Sequence, residues 1–222
     1  MTKDSENSRK HPAQIIKVDQ SRDLQKAVGR AGGCLLSGGV VAYPTESFYG
    51  LAVDATNQEA IKRLFLVKEL PTSHPVLILI PSLDLLEQYV DHIPSIAHRL
   101  IKAFWPGGLS LVFVAGPKVS PMLTAGTGKI GVRLSSHPVA TALTGAIGVP
   151  ITGTSANISG ETACRNAGEV VASFREGVDL VLDGGETPGQ MGSTVLDVTV
   201  HPARILRHGM IDESRLNKFI GN

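Results

Sequence analysis

Two hydrophobic rhythms alternate along the chain. Short continuous apolar runs at 15–18, 40–43, 76–80, 109–114, 130–134, 180–182, 195–200 and 204–206 predict buried strands. Between them, apolar residues recur at helical spacing. This predicts helices over 21–36 with Ser21 as N-cap, over a segment opened by Asn57 and closed by Lys68-Glu69, and over 82–89, 95–104, 138–146, 167–174 and 212–219. The segments 45–50, 70–75 and 183–194 read as loops, and 118–129 as irregular. Helices and strands alternate, but some strands are joined by short connections. The expected class is α/β with a mixed sheet.

Composition narrows this reading. The chain has 222 residues, 42% hydrophobic and 18% charged, which suits one domain with a substantial core. A formal net charge of +1 announces no nucleic-acid partner, although a locally basic cleft stays open. Cys34 and Cys164 have no metal-ligand spacing and are expected to be reduced, in a cytoplasmic protein. No apolar run approaches a membrane span, and residues 1–12 lack the apolar core of a secretory signal. Those twelve are expected to form a flexible tail, followed by one domain over 13–211 and a helix over 212–222 packed on it.

Candidate chemistry concentrates in 149–160, which reads V-P-I-T-G-T-S-A-N-I-S-G. A short buried strand empties there into a turn rich in hydroxyl and amide groups and free of acids. Such neutral donors at a strand end suit a phosphate or carboxylate, or else satisfy their own backbone. Arg133 sits inside an apolar strand, where a guanidinium needs an anionic or carbonyl partner. An internal ion pair and a ligand contact are equally good accounts of it. Lys68, Lys129 and Arg207 lie at element ends. Glu46 and Asp183 lie in loops where an acid could help hold a metal. There is no G-x-S-x-G elbow, no G-x-x-x-x-G-K-[ST] loop and no H-E-x-x-H pair.

Several motifs occur together in order. They are Pro44-Thr45-Glu46-Ser47-Phe48-Tyr49-Gly50-Leu51, Lys68, Trp105-Pro106-Gly107, Gly131-Val132-Arg133, Thr154-Ser155-Ala156-Asn157-Ile158-Ser159-Gly160, Asp183-Gly184-Gly185, Ser193-Thr194-Val195 and Arg207-His208-Gly209. This set resembles the YrdC-like family, which includes threonylcarbamoyl-adenylate synthases. The resemblance implies an α/β sandwich with a twisted mixed sheet around a basic concave cavity. It implies that ATP with Mg2+, L-threonine and bicarbonate meet there as substrates, with no tightly bound cofactor and no protein metal site. By motif position, Lys68, Lys129, Ser155, Asn157, Ala163 and Arg207 would bind ATP. Ser47, Arg133 and Ser193 would bind threonine, and no residue is assigned as a covalent catalyst. The product would pass to tRNA-modifying partner proteins.

The family's basic motif is Lys-x-Arg followed by Pro, whereas this chain reads Lys68-Glu69-Leu70-Pro71. Leucine has no donor for a phosphate. This departure defines a second reading, a non-catalytic relative that binds nucleotide or double-stranded RNA. A carbamoyl-transfer module of the hydrogenase-maturation kind is a third reading, disfavoured by the absence of zinc-finger cysteines.

Overall fold

The computed structural model describes residues 12–19 and 23–220. Most of the expected tail, the Ser21 cap and the last two residues lie outside them. In chain order the elements are β1 (Gln14–Lys17), α1 (Leu24–Leu36), β2 (Val41–Pro44), β3 (Tyr49–Ala52), α2 (Gln58–Val67), β4 (Ile78–Leu79), α3 (Leu86–Tyr89) and α4 (Ser95–Phe104). There follow β5 (Leu109–Val114), α5 (Pro121–Thr124), β6 (Lys129–Arg133), α6 (Pro138–Ile147), β7 (Ile151–Thr152), β8 (Thr154–Ser155), α7 (Ala167–Phe174), β9 (Leu180–Asp183), β10 (Thr194–Asp197), β11 (Arg204–Arg207) and α8 (Glu213–Ile220).

The strands form two mixed sheets, ordered β1-β9-β2-β3-β8 and β11-β10-β5-β6-β4-β7. In the first, β9 runs parallel to β1 and β2, while β3 runs antiparallel to β2 and β8. The expectation of a mixed α/β fold holds, but two sheets replace the single sheet expected. Strand β3 was read as loop because Tyr49-Gly50 looks like turn sequence. In place it pairs with β2 residue by residue, Pro44 opposite Tyr49, and is wholly buried.

Both faces of β2 are covered. Val40 and Ala42 point into one apolar cluster, Val41 and Tyr43 into another, as the two-residue period of a strand requires. The first cluster takes residues from both sheets and from α2, α4 and α7; the second is closed by α1 and α6. Helix α8 adds the fully buried Leu216 and sets Phe219 edge-on against Phe104, with ring centroids 5.4 Å apart.

The segment 151–155 joins the sheets. Ile151 and Thr152 pair with β4, and Thr154 and Ser155 pair with β3. Gly153 makes the crossing: its N–H donates to Leu77 O at 2.8 Å, and a Cβ there would lie 2.4 Å from Leu77 Cδ1. One continuous strand was expected; the structure divides it between two sheets and delivers the Ser-Asn turn where they meet.

Candidate functional site

The turn after β8 forms one wall of a cavity of about 440 Å³. Hairpin β2–β3, the α2 C-terminus, the end of β6 and the start of β10 with β11 complete it. Lys68, Arg133 and Arg207 all line this space, and no aspartate or glutamate among the described residues does. Eight of the nine site residues expected from sequence line it: Ser47, Lys68, Arg133, Ser155, Asn157, Ala163, Ser193 and Arg207. Lys129 does not. Its ammonium reaches across β5 to the buried Asp197 carboxylate on β10, at 2.9 Å. Burial works to raise the Asp197 pKa, but hydrogen bonds from Thr199 and Lys129 outweigh it and hold the group below its usual value.

Lys68 is delivered by the end of α2. Asn57 caps that helix by accepting from the Glu59 and Ala60 N–H groups, and Lys68 is its C-cap, one residue past Val67. Glu69 then adopts φ of +52°, a left-handed turn that glycine more often makes, and sends Leu70 to the cavity wall. The buried Lys68 Nζ donates to Ser155 O at 2.5 Å and Asn157 O at 2.7 Å, with Asn157 Oδ1 at 3.4 Å. Burial lowers its pKa to about 8, against a weak opposing pull from Cys164. Ser155 Oγ donates to Asn157 Oδ1 at 2.6 Å, and the Asn157 amide donates to Ile158 O and Glu161 O. These bonds fix the turn, while Ser155 keeps an exposed position at the cavity.

Arg133 joins the lining from the end of β6. Its side chain is only 7% exposed, and its guanidinium makes no hydrogen bond among the described residues. The nearest acid, Glu46, lies 3.7 Å away through Oε2, an ion pair too long for a hydrogen bond. Both Arg133 Nε and Glu46 Oε1 are buried without partners. Of the two accounts that the sequence left open, the ion pair therefore exists but leaves the donors unused. Glu46 instead accepts from Ser135 Oγ at 2.7 Å, and Asp183 accepts from the Gly185 N–H, so neither acid joins a metal cluster. No group of three or more His, Cys, Asp or Glu fit for a metal occurs among the described residues.

Arg207 is the third cation of the lining. It donates through Nε to Ser193 O at 3.1 Å and through Nη2 to Ser193 Oγ at 2.9 Å, and Ser110 Oγ braces the same hydroxyl at 2.9 Å. Burial and then the charge on Arg133 lower the Arg207 pKa, a sign of unbalanced positive charge. Among the lining residues not assigned from sequence, Tyr43 and Thr45 shape the hairpin wall. Tyr43 was read as an apolar strand residue and lines the cavity. Thr45 binds the Ser47 N–H and the Phe48 carbonyl, setting the hairpin turn that presents Ser47. The P-T-E-S-F-Y-G string was the available signal for Thr45, and for Tyr43 there was none.

The fold that builds this cavity is shared with known proteins. Residues 34–209 match the Sua5/YciO/YrdC family described as "Telomere recombination", and the chain belongs to that family. It is similar to the threonylcarbamoyl-AMP synthases of Pyrococcus abyssi, at 38% identity over 86% of this chain, and of Bacillus subtilis, at 34% over 92%. The chain spans 56% and 59% of the length of those two relatives. The solved structure of Pyrococcus abyssi Sua5 complexed with L-threonine superposes with a TM-score of 0.87 at 34% identity, covering 94% of this chain and 61% of that one. No helix among the described residues is long and apolar enough to cross a membrane.

Proposed function

We propose that this protein is an enzyme of the threonylcarbamoyl-AMP synthase type, using ATP, L-threonine and bicarbonate. The threonine nitrogen bonds to the bicarbonate carbon with loss of water. An oxygen of the resulting carbamate attacks the ATP α-phosphorus, and the bond to pyrophosphate breaks. The product passes to tRNA-modifying partner proteins. The observation that carries this reading is the Arg133 guanidinium, buried and, among the described residues, without a hydrogen bond, in the lining of a cavity that contains no acid. A guanidinium with free donors grips a carboxylate in two parallel bonds. Ser47 and Ser193 line the same cavity, and in this reading they contact threonine. Arg207, Lys68, Ser155, Asn157 and Ala163 face ATP, and magnesium arrives on its phosphates. Chemistry of this kind needs positioning and charge stabilisation rather than a protein nucleophile.

A second reading, nucleotide or double-stranded RNA binding without turnover, is favoured by Leu70. It lines the cavity where the family pattern expects arginine. ATP–pyrophosphate exchange with threonine and bicarbonate separates the two. Exchange that disappears when either co-substrate is omitted supports the synthase. ATP binding without exchange supports the second reading.

A further inference from the structure

Arg133 and Glu46 form an ion pair that stops short of closing. The buried guanidinium has an acid 3.7 Å away, yet Arg133 Nε and Glu46 Oε1 are both without partners. Unpaired buried polar atoms are costly, so something must hold the two apart. Ser135, two residues beyond Arg133 on the same chain segment, donates its hydroxyl to Glu46 Oε2 at 2.7 Å. That oxygen is also the one nearest the guanidinium. Ser135 is itself fixed: the His137 N–H donates to its Oγ at 3.2 Å, and Thr141 Oγ1 donates to its carbonyl at 3.0 Å.

We propose that Ser135 is a positioning residue that latches Glu46 away from Arg133 and so keeps the guanidinium fork free for a ligand carboxylate. Glu46 supplies the counter-charge that makes burial of the arginine tolerable. Ser135 prevents it from taking the donors. Closure needs only about 0.9 Å, the difference between 3.7 Å and the roughly 2.8 Å of a charge-assisted bond. Freed of the hydroxyl, Glu46 closes on Arg133 and competes with the ligand. The consequence for ligand binding rests on the threonine reading above; the latch itself does not.

The test uses the full chain, Ser135→Ala, Glu46→Gln and the double variant, with circular dichroism to verify folding. The first readout needs no ligand. In 15N NMR spectra, the Arg133 Nε–H signal of Ser135→Ala shifts downfield and exchanges more slowly than in wild type. In the double variant it returns to the wild-type position. The second readout is L-threonine titration. Ser135→Ala weakens binding about tenfold, as expected for a competing charged hydrogen bond, while ATP affinity stays within about twofold. The double variant recovers to within about threefold of wild type, a rescue that mere loss of packing at Ser135 does not give. An Arg133 signal unmoved by Ser135→Ala, or no reversal in the double variant, overturns the latch. If wild type binds no threonine, the functional reading fails while the NMR readout still decides the latch.

Discussion

Two buried cations line this cavity, and they are in opposite states. Lys68 is saturated, with its ammonium directed at three oxygens of the 155–157 turn. Arg133 is unsatisfied, with an acid at 3.7 Å and no hydrogen bond among the described residues. Burial alone would have ranked them alike, at 2% and 6% exposed. The difference is in where the donors go. Lys68 spends them on the protein, so its first effect is to shape the nucleotide wall. Arg133 holds its donors in reserve, so its first effect is on a ligand.

Replacing the saturated cation should give the largest change. Lys68→Met leaves the Ser155 and Asn157 carbonyls without their charged donor and should lower stability by about 3 kcal/mol in urea denaturation. Arg133→Met combined with Glu46→Gln, which strands neither a hydrogen-bonded partner nor a lone buried charge, should cost clearly less; equal losses would erase the contrast between the two sites. Adding a free donor beside Lys68 comes next. Leu70→Arg should raise pyrophosphate release with ATP, threonine and bicarbonate on the order of 100-fold, the effect of one preorganised donor on developing phosphate charge. An unchanged rate would mean that the Lys68 side needs no donor beyond those it has.

Arg133→Lys should weaken threonine about 30-fold in calorimetry while ATP affinity stays put, because an ammonium cannot reproduce the planar fork. Full threonine affinity in this variant would show that only charge matters there. The smallest effect is on pH. With a Lys68 pKa of about 8, the cation that favours ATP is present below that value and lost above it. ATP affinity should therefore fall about tenfold between pH 7 and 9, and the fall should be absent in Lys68→Met. Stability moves the other way. The folded value lies below the unfolded 10.5, so the cost of burying the charge is full below pH 8 and is relieved as pH rises toward 10.5. An ATP affinity flat across this range in wild type would separate Lys68 from the nucleotide altogether.

Much of this was open to a reader of the chain alone. The apolar periods located α2, α4, α6, β5 and β6, and the ordered motifs gathered eight residues that do line one cavity. Lys129 shows the limit. Its motif position made it a nucleotide contact, but a strand end places its ammonium on Asp197, 68 residues away. Sequence spacing cannot register such a partner, because strand pairing is a long-range choice. The same limit hid β3: its Tyr49-Gly50 sequence says turn, and only the β2 and β8 neighbours make it a strand.

The sequence by itself determined the rhythm of elements, the acid-free turn at 149–160 and the placing of a lone arginine in an apolar strand. These are local properties, set by backbone preference and by the alternation of apolar and polar side chains. Tertiary structure alone decided that 151–155 would split between two sheets at Gly153, that Lys68 would be saturated, and that Glu46 would be held by Ser135 short of Arg133. Each of those outcomes depends on contacts between groups tens of residues apart. Hydrogen-bonding energy is steep in distance, and the packing of both sheets sets that distance.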